Sequence, residues 1–298
     1  MDKTKKILIC GSNGLIGIPL TKLLKKKFSV FTTYHNTKMN ADDTKIDILS
    51  SNSLEKTFEL IKPDIVINLC AIYKNLDFCE KNKKLVMAIN GKSLKTISKL
   101  ANKYNSFLLG ISSDFVFDGQ TGNYKENDQI NPINYYGETK VEGEKNIQSI
   151  ANNYCIIRTS LIYGKNPIRN TISDMIFNAL KKEEKLELTN DRFSTPTYLQ
   201  NFCEMLFEII DIEYKGIIHL AGPEKISRYN FAKKLFDLSD FTNSNFVPIS
   251  GDKFEFSKKM PKDSSLNTQK ATVVLKKGPE NIESSIKKYL KDKEQNYI

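Results

Sequence analysis

Short apolar runs alternate with longer amphipathic segments along the first half of the chain. Runs with the length and composition of buried strands lie at 6–10, 30–34, 65–69, 107–112 and 155–159. Segments whose apolar residues recur every three or four positions predict helices over 15–26, 54–61, 85–104 and 135–150. Strands that alternate with helices are joined by right-handed crossovers, which produce a parallel sheet covered on both faces. The pattern therefore predicts a doubly wound α/β fold.

The second half of the chain is less regular. Its apolar positions predict helices over 168–182, 199–210, 227–238 and near 279–291, and a strand over 216–220 that returns to the sheet. No linker or internal repeat separates the two halves, so they should share one compact body. We expect a larger domain over 1–165, with a sheet completed by about 195–222. A smaller lobe over 166–298 should cover the ends of the strands.

Composition and charge place the chain among ordinary globular proteins. Of the 298 residues, 40% are hydrophobic, and Lys and Arg outnumber Asp and Glu by 45 to 35. Nucleic-acid binders rely on arginine for contacts with bases and phosphates, and this chain has only four arginines, at positions 158, 169, 192 and 228. We therefore expect no nucleic-acid partner. The scattered lysines indicate a solvated surface whose positive field favours an anionic substrate.

Cysteine and histidine usage points to a reduced compartment and to no metal. Five cysteines stand far apart without a Cys-x-x-Cys pair, and only two histidines are present. The apolar stretch at 7–10 is too short for a signal peptide, and no run approaches the roughly 18 apolar residues of a membrane span. We expect a cytoplasmic protein with no membrane partner.

A glycine-rich turn follows the first predicted strand. It reads Gly11-Ser-Asn13-Gly14-Leu15-Ile16-Gly17 and leads into the first helix. Glycines at such a turn let the backbone approach a pyrophosphate, which then lies on amides at the helix N-terminus. The spacing differs from the simplest dinucleotide fingerprint, but its place after the first strand of an α/β chain predicts nucleotide binding.

Two further features concern proton transfer and carbonyl binding. Tyr136 and Lys140 lie four residues apart, on one face of a predicted helix. A lysine beside a phenol favours the phenolate and lowers the tyrosine pKa from about 10, which suits a proton donor. The neighbouring Tyr135 is a competing candidate. Upstream, Ser112-Ser113-Asp114 ends a predicted strand, where ligands bind in open α/β sheets. A hydroxyl there can hold a substrate carbonyl, or it can simply bond to nearby backbone.

Together, these features resemble the extended short-chain dehydrogenase/reductase family and its Rossmann fold. More specifically, the chain is similar to the dTDP-4-dehydrorhamnose reductase branch. The most specific shared segment is Ile111-Ser-Ser-Asp-Phe-Val-Phe-Asp-Gly119. The other shared segments are Tyr136–Lys140 with Gly143-Glu144, Arg158-Thr159, Tyr163-Gly164, Asp77-Phe-Cys-Glu80, Asn90-Gly91, Pro196-Thr197 and Asp263-Ser-Ser-Leu-Asn267. The resemblance covers nearly the whole chain.

The resemblance implies a role for each of these positions. Tyr136 would be the general acid, Lys140 its partner and ribose anchor, and Ser113 the hydroxyl that orients the carbonyl. The glycine turn, from Gly11 to Gly17 with Asn13, Leu15 and Ile16, would hold the pyrophosphate of NADPH, with NADH as a possible substitute. Tyr34, His35, Asp47, Ile48, Cys70 and Ala71 would line the rest of the cofactor site. Asp114, Phe115, Ser264 and Asn267 would bind the substrate, a nucleotide sugar whose 4-keto group is reduced. The implied setting is synthesis of surface polysaccharide precursors such as dTDP-rhamnose, by a homodimer.

Four departures from the branch leave the sugar and its nucleotide, dTDP or UDP, open. Ser113 replaces the usual Thr, Phe115 a Tyr, and Arg192 a Gln. Met260 replaces an Arg that would contact the nucleotide. Lys258, Lys259 and Lys262 could supply the missing charge, with weaker geometric selectivity.

Two other functions remain open on this evidence. A non-catalytic NADP-binding subunit, like the β subunit of methionine adenosyltransferase, has the same fold. A nucleotide-sugar epimerase or dehydratase uses the same Tyr and Lys. Dehydratases, however, carry acidic residues just after the hydroxyl residue, and here Asp114 is followed by Phe115.

Overall fold

A parallel sheet forms the centre of the molecule. The computed structural model describes residues 4–72, 74–253 and 259–294, and within these ranges seven strands pair in the order β11-β6-β5-β4-β1-β2-β3. All pairings in this sheet are parallel. The strands are β1 (Lys6–Cys10), β2 (Ser29–Tyr34), β3 (Thr44–Lys45), β4 (Ile65–Asn68), β5 (Phe107–Ile111), β6 (Tyr154–Arg158) and β11 (Gly216–His219). The order reverses between β1 and β4, and the carboxyl ends of the strands meet at one edge.

Successive side chains of each central strand enter two different cores. Ile7 and Ile9 of β1 pack on one face of the sheet, whereas Leu8 and Cys10 pack on the other. This alternation follows from the two-residue period of a strand, and burial on both faces explains the continuous apolar runs in the sequence. Helices α1 (Gly17–Leu24) and α8 (Leu199–Ile212) cover the first face, and α2 (Ser51–Ile61), α5 (Ser93–Lys103) and α6 (Tyr135–Ile150) cover the second.

A smaller lobe lies at the carboxyl ends of the strands. It contains the helices α7 (Ile172–Lys181), α9 (Arg228–Asp237) and α11 (Ile282–Glu294) around a separate core that includes Tyr163, Phe231 and Tyr289. Short strands pair within it: β8 (Leu186–Thr189) with β13 (Phe246–Ile249), and β9 (Phe193–Ser194) with β12 (Ile226–Ser227). Between the lobes, β7 (Ile162–Tyr163) pairs with β10 (Thr197–Tyr198). Helix α10 (Gln269–Val274) returns to the larger core through Ala271.

Two predicted helices differ from the observed ones for local reasons. The helix predicted over 168–182 begins only at α7, because Thr171 and Asp174 form a reciprocal cap there. The segment predicted as one helix over 85–104 contains α4 (Lys83–Met87), a π-helical turn (Ala88–Lys92) and α5. In that turn Asn90 bonds to both the N–H and the C=O of Ile72. A short helix, α3 (Leu76–Lys81), precedes this segment and was not predicted.

The five cysteines are unpaired in the structure. Among the described residues, no helix has the length and apolar character needed to cross a membrane. Lys258, one of the lysines proposed near Met260, lies outside the described residues.

Candidate active site

A cleft of about 370 Å³ opens where the carboxyl ends of β1, β4 and β5 meet the smaller lobe. The predicted catalytic residues Ser113, Tyr136 and Lys140 all line it. Of the predicted cofactor and substrate residues, it is also lined by Leu15, Ile16, Cys70, Ala71, Asp114, Phe115 and Ser264. Residues from all three sequence features, with Leu15 and Ile16 for the glycine turn, therefore line one cavity. The other predicted cofactor residues of the turn and of the end of β2 do not line it: Gly11, Asn13, Gly14, Gly17, Tyr34 and His35.

The glycine turn has the geometry of a backbone cradle. Gly11 has a φ of +85°, a conformation that side-chain-bearing residues rarely adopt. A Cβ atom at Gly17 would lie only 2.3 Å from the backbone oxygen of Ser12, so α1 can start this close to the turn only with glycine. A glycine turn that leads directly into a helix is the arrangement in which the first amides of the helix bind a pyrophosphate.

The end of β2 lies beside the glycine turn. Ser12 Oγ donates to the carbonyl oxygen of Thr33 at 2.8 Å, and Asn13 Nδ2 donates to that of Thr37 at 2.7 Å. Tyr34 is half-buried and His35 is exposed at this end. The nearby Asp43 carboxylate accepts hydrogen bonds from Thr32 and from the backbone and side chain of Asn40. Burial raises the pKa of Asp43, but these hydrogen bonds outweigh it and hold the pKa below its usual range.

This environment predicts a preference for NADPH. A carboxylate at the end of β2 would bind the ribose 2′-hydroxyl of NADH and repel a 2′-phosphate, but Asp43 is buried and already engaged by its own loop. His35 and Lys38 are exposed there instead. We expect kcat/KM with NADPH to equal or exceed that with NADH, measured by steady-state kinetics with one sugar nucleotide. A clear preference for NADH would contradict this assignment of the loop.

Asp47 and Ile48 lie farther along the same edge, before α2, and do not line the cleft. Asp47 is exposed, and its Oδ1 accepts a hydrogen bond from the N–H of Leu49 at 2.9 Å. Ile48 is buried in the core under α2. Their contact with the adenine stays a prediction.

Tyr136 and Lys140 are presented on the first turns of α6. Asn134 caps this helix by accepting a hydrogen bond from the N–H of Gly137 at 2.8 Å. The Lys140 ammonium donates to the carbonyl oxygen of Ile111 at 3.0 Å and lies 5.7 Å from the centre of the Tyr136 ring. Burial lowers the pKa of Lys140 to about 8, although the charge of Glu144, and more weakly Cys70, opposes this shift. Lys140 therefore changes its charge near pH 8.

The competing Tyr135 points elsewhere. Its hydroxyl donates to the carbonyl oxygen of Lys83 at 3.1 Å, and the Lys83 ammonium lies 4.8 Å from its ring centre. Burial raises the pKa of Tyr135, and the charge of Glu138 adds to the increase. Tyr135 does not line the cleft, which leaves Tyr136 as the candidate acid.

Lys140 leads to a pH prediction. Below about pH 8 the buried ammonium is charged and can favour the phenolate of Tyr136. We expect kcat/KM for reduction to be level below that pH and to fall above it, because the lysine loses its proton there. The profile of kcat/KM reports groups of the free enzyme. In a Lys140→Arg variant, which keeps its charge, this falling limb should move to higher pH. A wild-type profile that stays level from pH 7 to 10 would rule out Lys140 as the titrating group.

A buried carboxylate connects three hydroxyl groups from different parts of the chain. Asp114 accepts hydrogen bonds from Ser113 at 2.9 Å, Ser160 at 2.7 Å and Ser264 at 2.6 Å. Burial raises the pKa of Asp114, and the three hydroxyls only partly offset this rise. Ser264 comes from the C-terminal lobe, so this contact joins the lobe to the end of β5. Ser113 Oγ also accepts from the N–H of Phe115 at 3.2 Å.

A buried ion pair lies behind Lys140. Glu144, one turn farther along α6, accepts two hydrogen bonds from Arg158, at 2.9 Å from Nε and 2.7 Å from Nη2. Ser112 Oγ donates to the same carboxylate at 2.5 Å. The side chains of Glu144 and Arg158 are only 2% and 3% exposed. Arg158 ends β6 and Ser112 follows β5, so these contacts tie α6 to the ends of both strands.

All four departures from the branch, at Ser113, Phe115, Arg192 and Met260, line the cleft. The Phe115 ring meets the Tyr136 ring edge-on, with centroids 6.0 Å apart. Met260 also lines the cleft. Two of the lysines expected to compensate for Met260 do not line the cleft: Lys259 pairs with Glu80 at 3.1 Å, and Lys262 is exposed.

Arginines contribute to the cleft in a way that the sequence does not predict. Arg169, Arg192 and Arg228 all line the cleft, so three of the four arginines in the chain converge on it. The fourth, Arg158, belongs to the buried ion pair. Their distances along the sequence give no sign of this convergence, which depends on the folding of the smaller lobe.

Asn267, a predicted substrate contact, lies outside the cleft. Its Oδ1 accepts from the N–H of Gln269 at 3.0 Å at the start of α10, and its Nδ2 donates to Asn123 at 3.2 Å. The backbone N–H of Asn267 donates to the carbonyl oxygen of Tyr124 at 2.7 Å. The residue therefore joins a loop to α10, and only Ser264 of the predicted pair reaches the cavity.

Three comparisons relate the chain to known proteins. A family model described as the RmlD substrate binding domain matches residues 5–295. The chain is 29% identical over 242 residues to a dTDP-4-dehydrorhamnose reductase of Aggregatibacter actinomycetemcomitans, covering 78% of each. It is 26% identical over 257 residues to methionine adenosyltransferase 2 subunit beta of Bos taurus, covering 83% of this chain and 75% of that protein. The structure of a dTDP-4-dehydrorhamnose reductase from Bacillus anthracis in complex with NADP matches with a TM-score of 0.86 and 25% identity, over 97% of this chain and 99% of that one.

Proposed function

The chain belongs to the RmlD substrate binding domain family, and from this membership we propose that it is an NADPH-dependent reductase of a nucleotide-activated sugar. The substrate we propose is a 4-keto deoxy sugar linked to dTDP or UDP. One observation carries the proposal: Tyr136, Lys140 and Ser113 line the same cleft as Leu15 and Ile16 of the glycine turn that leads into α1. An acid, a carbonyl-orienting hydroxyl and a cofactor cradle in one cavity are what ketone reduction requires.

The proposed reaction assigns one task to each side chain. The glycine turn would hold NADPH, whose chemistry when bound would be to supply the hydride. Ser113 Oγ donates to the carbonyl oxygen of the substrate, and for this it must turn away from Asp114, to which it donates now. Tyr136 gives its proton to the alkoxide that develops at that oxygen. Lys140, buried and bonded to the carbonyl oxygen of Ile111, holds its charge beside the phenol and favours the phenolate left behind.

The smaller lobe would hold the nucleotide. A second cavity of about 510 Å³ adjoins the cleft and is lined by Ile172, Met175 and Leu186 among others. We place the sugar beside Tyr136 and the nucleoside in this second cavity. The division into a dinucleotide-binding domain over 1–165, with its sheet completed by about 195–222, and a mainly substrate-binding lobe over 166–298 belongs to this proposal. We also propose that the protein forms a homodimer.

Substitutions at Ser264 and Asn267 should have different effects. Ser264→Ala removes a hydroxyl that lines the cleft and contacts Asp114, so we expect KM for the sugar nucleotide to rise by about tenfold, the worth of one hydrogen bond. Asn267→Ala removes a helix-start contact and should lower the unfolding midpoint without raising KM. Steady-state kinetics and thermal unfolding of both variants check this. A rise in KM for Asn267→Ala, together with an unchanged KM for Ser264→Ala, would contradict the placement of these residues.

The experiment that tests the proposed function is turnover with a panel of substrates. Purified protein is incubated with NADPH and with dTDP- and UDP-linked 4-keto sugars, and absorbance at the NADPH wavelength is followed together with product mass. We expect NADPH oxidation and a product two mass units heavier than the substrate. If no sugar is reduced while the protein binds NADPH and a methionine adenosyltransferase catalytic subunit, the non-catalytic alternative suggested by the bovine relative would replace this proposal.

A further inference from the structure

The cleft and the second cavity share one wall. Five residues line both: Leu161, Asn170, Thr171, Ile172 and Arg228. Arg228 is the only charged residue of the five. It is the first residue of α9 and is half-buried. A ligand that extends from Tyr136 into the second cavity must therefore pass this guanidinium.

Arg192 and Arg228 differ in whether a nearby carboxylate neutralises their charge. Arg192, on another wall of the cleft, is neutralised by Asp252 at 2.6 Å and Asp191 at 3.3 Å. Its guanidinium packs against Gly251, where an added Cβ would lie 2.6 Å from Cζ. Arg192 thus joins the loop after β8 to the segment at 251–253. By contrast, within 4–72, 74–253 and 259–294 no carboxylate forms an ion pair with Arg228.

Within the described residues, the two carboxylates that line the cavities, Asp114 and Glu184, have partners already. Asp114, the only carboxylate lining the cleft among the described residues, accepts three hydroxyl hydrogen bonds. In the second cavity, Glu184 pairs with Lys182 at 3.6 Å and Lys185 with Glu187 at 3.1 Å. Among the described residues, no carboxylate therefore neutralises the charge of Arg228 at the junction of the two cavities.

From this position we infer that Arg228 binds the diphosphate of the substrate and makes the protein select nucleoside diphosphates over nucleoside monophosphates. The inference rests on the proposed function. A sugar placed with its keto carbon beside Tyr136 carries the diphosphate on the far side of its ring, toward the junction. A guanidinium can donate two parallel hydrogen bonds to phosphate oxygens. Arg228 would thus take the phosphate contact that Met260 cannot make, and Arg192 would remain a structural contact.

The test measures the binding of free nucleotides to protein saturated with NADP. Isothermal titration calorimetry compares dTDP with dTMP, and UDP with UMP, for the wild type and for Arg228→Gln. We expect the wild type to bind diphosphates more tightly. Arg228→Gln should weaken diphosphate binding by about tenfold to a hundredfold, the range for hydrogen bonds to charged groups, and change monophosphate binding much less. Arg228→Lys, which keeps the charge but not the paired donors, should lie between them.

Three controls make the outcome specific. Lys233→Gln removes the same charge from an exposed site on α9 that lines neither cavity, and should leave diphosphate binding unchanged. NADPH affinity reports whether each variant is folded. Arg192→Gln should affect monophosphates and diphosphates alike. If Arg228→Gln keeps the preference for diphosphates, or Arg192→Gln alone removes it, the inference is wrong. A wild type that binds diphosphates with this Arg228 dependence but reduces no sugar would overturn the proposed function and leave the diphosphate site standing.

Discussion

Replacing Tyr136 by Phe is expected to lower kcat for sugar-nucleotide reduction by about 10²–10⁴-fold, the usual contribution of a general acid. The ring remains, so its edge-on contact with Phe115 and its position over the cleft should persist. The variant lacks the phenolic proton donor. The affinity for NADPH, measured by fluorescence titration, should therefore change little, because the glycine turn and Lys140 are untouched.

Tyr135→Phe is the matched control for this variant. It removes the same hydroxyl from the adjacent residue, where that hydroxyl bonds to the backbone of Lys83 outside the cleft. Its kcat should stay within a few-fold of the wild type. Similar kcat values for Tyr136→Phe and the wild type would refute the assignment of the acid. A large loss in Tyr135→Phe would show that the wrong tyrosine was chosen.

The largest expected effect on stability is that of Glu144→Gln. The change leaves Arg158 charged, buried and without its carboxylate, and breaking a buried pair in this way costs about 3–5 kcal/mol. Because Glu144 also supports the charge of Lys140, the falling limb of the kcat/KM profile should move to lower pH. Urea unfolding followed by circular dichroism measures the first effect, and the pH profile measures the second.

Two further variants test whether the broken ion pair causes the loss of stability. Glu283→Gln removes a carboxylate that pairs with Lys287 at 2.6 Å on the surface of α11, and its unfolding midpoint should match that of the wild type. Adding Arg158→Met to Glu144→Gln removes the orphaned charge, so it should restore part of the lost stability. An unfolding free energy of Glu144→Gln equal to that of the wild type would mean that the pair does not stabilise the fold.

Local patterns in the sequence were enough to predict the central fold. The predicted bounds of β1 and α6 agree with the structure, because apolar runs and helical periodicity are properties of neighbouring residues. The strand predicted over 216–220 appears as β11, paired in parallel with β6. The π-helical turn was missed because it depends on a tertiary contact: Asn90 bonds to Ile72, and Gly91 packs closely against Glu142. Neither contact produces a periodic pattern in the sequence.

The site was predictable where motifs lie at the ends of strands and helices. Ser113, Tyr136 and Lys140 reach one cleft because parallel strands end at one edge of the sheet. No comparable rule predicts which residues of the smaller lobe reach the cleft. Asn267 lies only three residues after Ser264 yet is directed to another loop, and Arg228 reaches the cleft from a helix far along the chain. The choice of Arg228 over nearby lysines could be made only from the folded lobe.

The central claim is that this cleft delivers a hydride to a sugar carbonyl and that Tyr136 supplies the proton. Transfer of label from deuterated NADPH tests it directly: the protein is incubated with a 4-keto sugar nucleotide and cofactor that carries deuterium at the transferred position. Mass spectrometry and NMR of the product should show one deuterium on carbon 4, formed by the wild type and almost absent with Tyr136→Phe. A product without deuterium, or equal labelling by both proteins, would contradict the account.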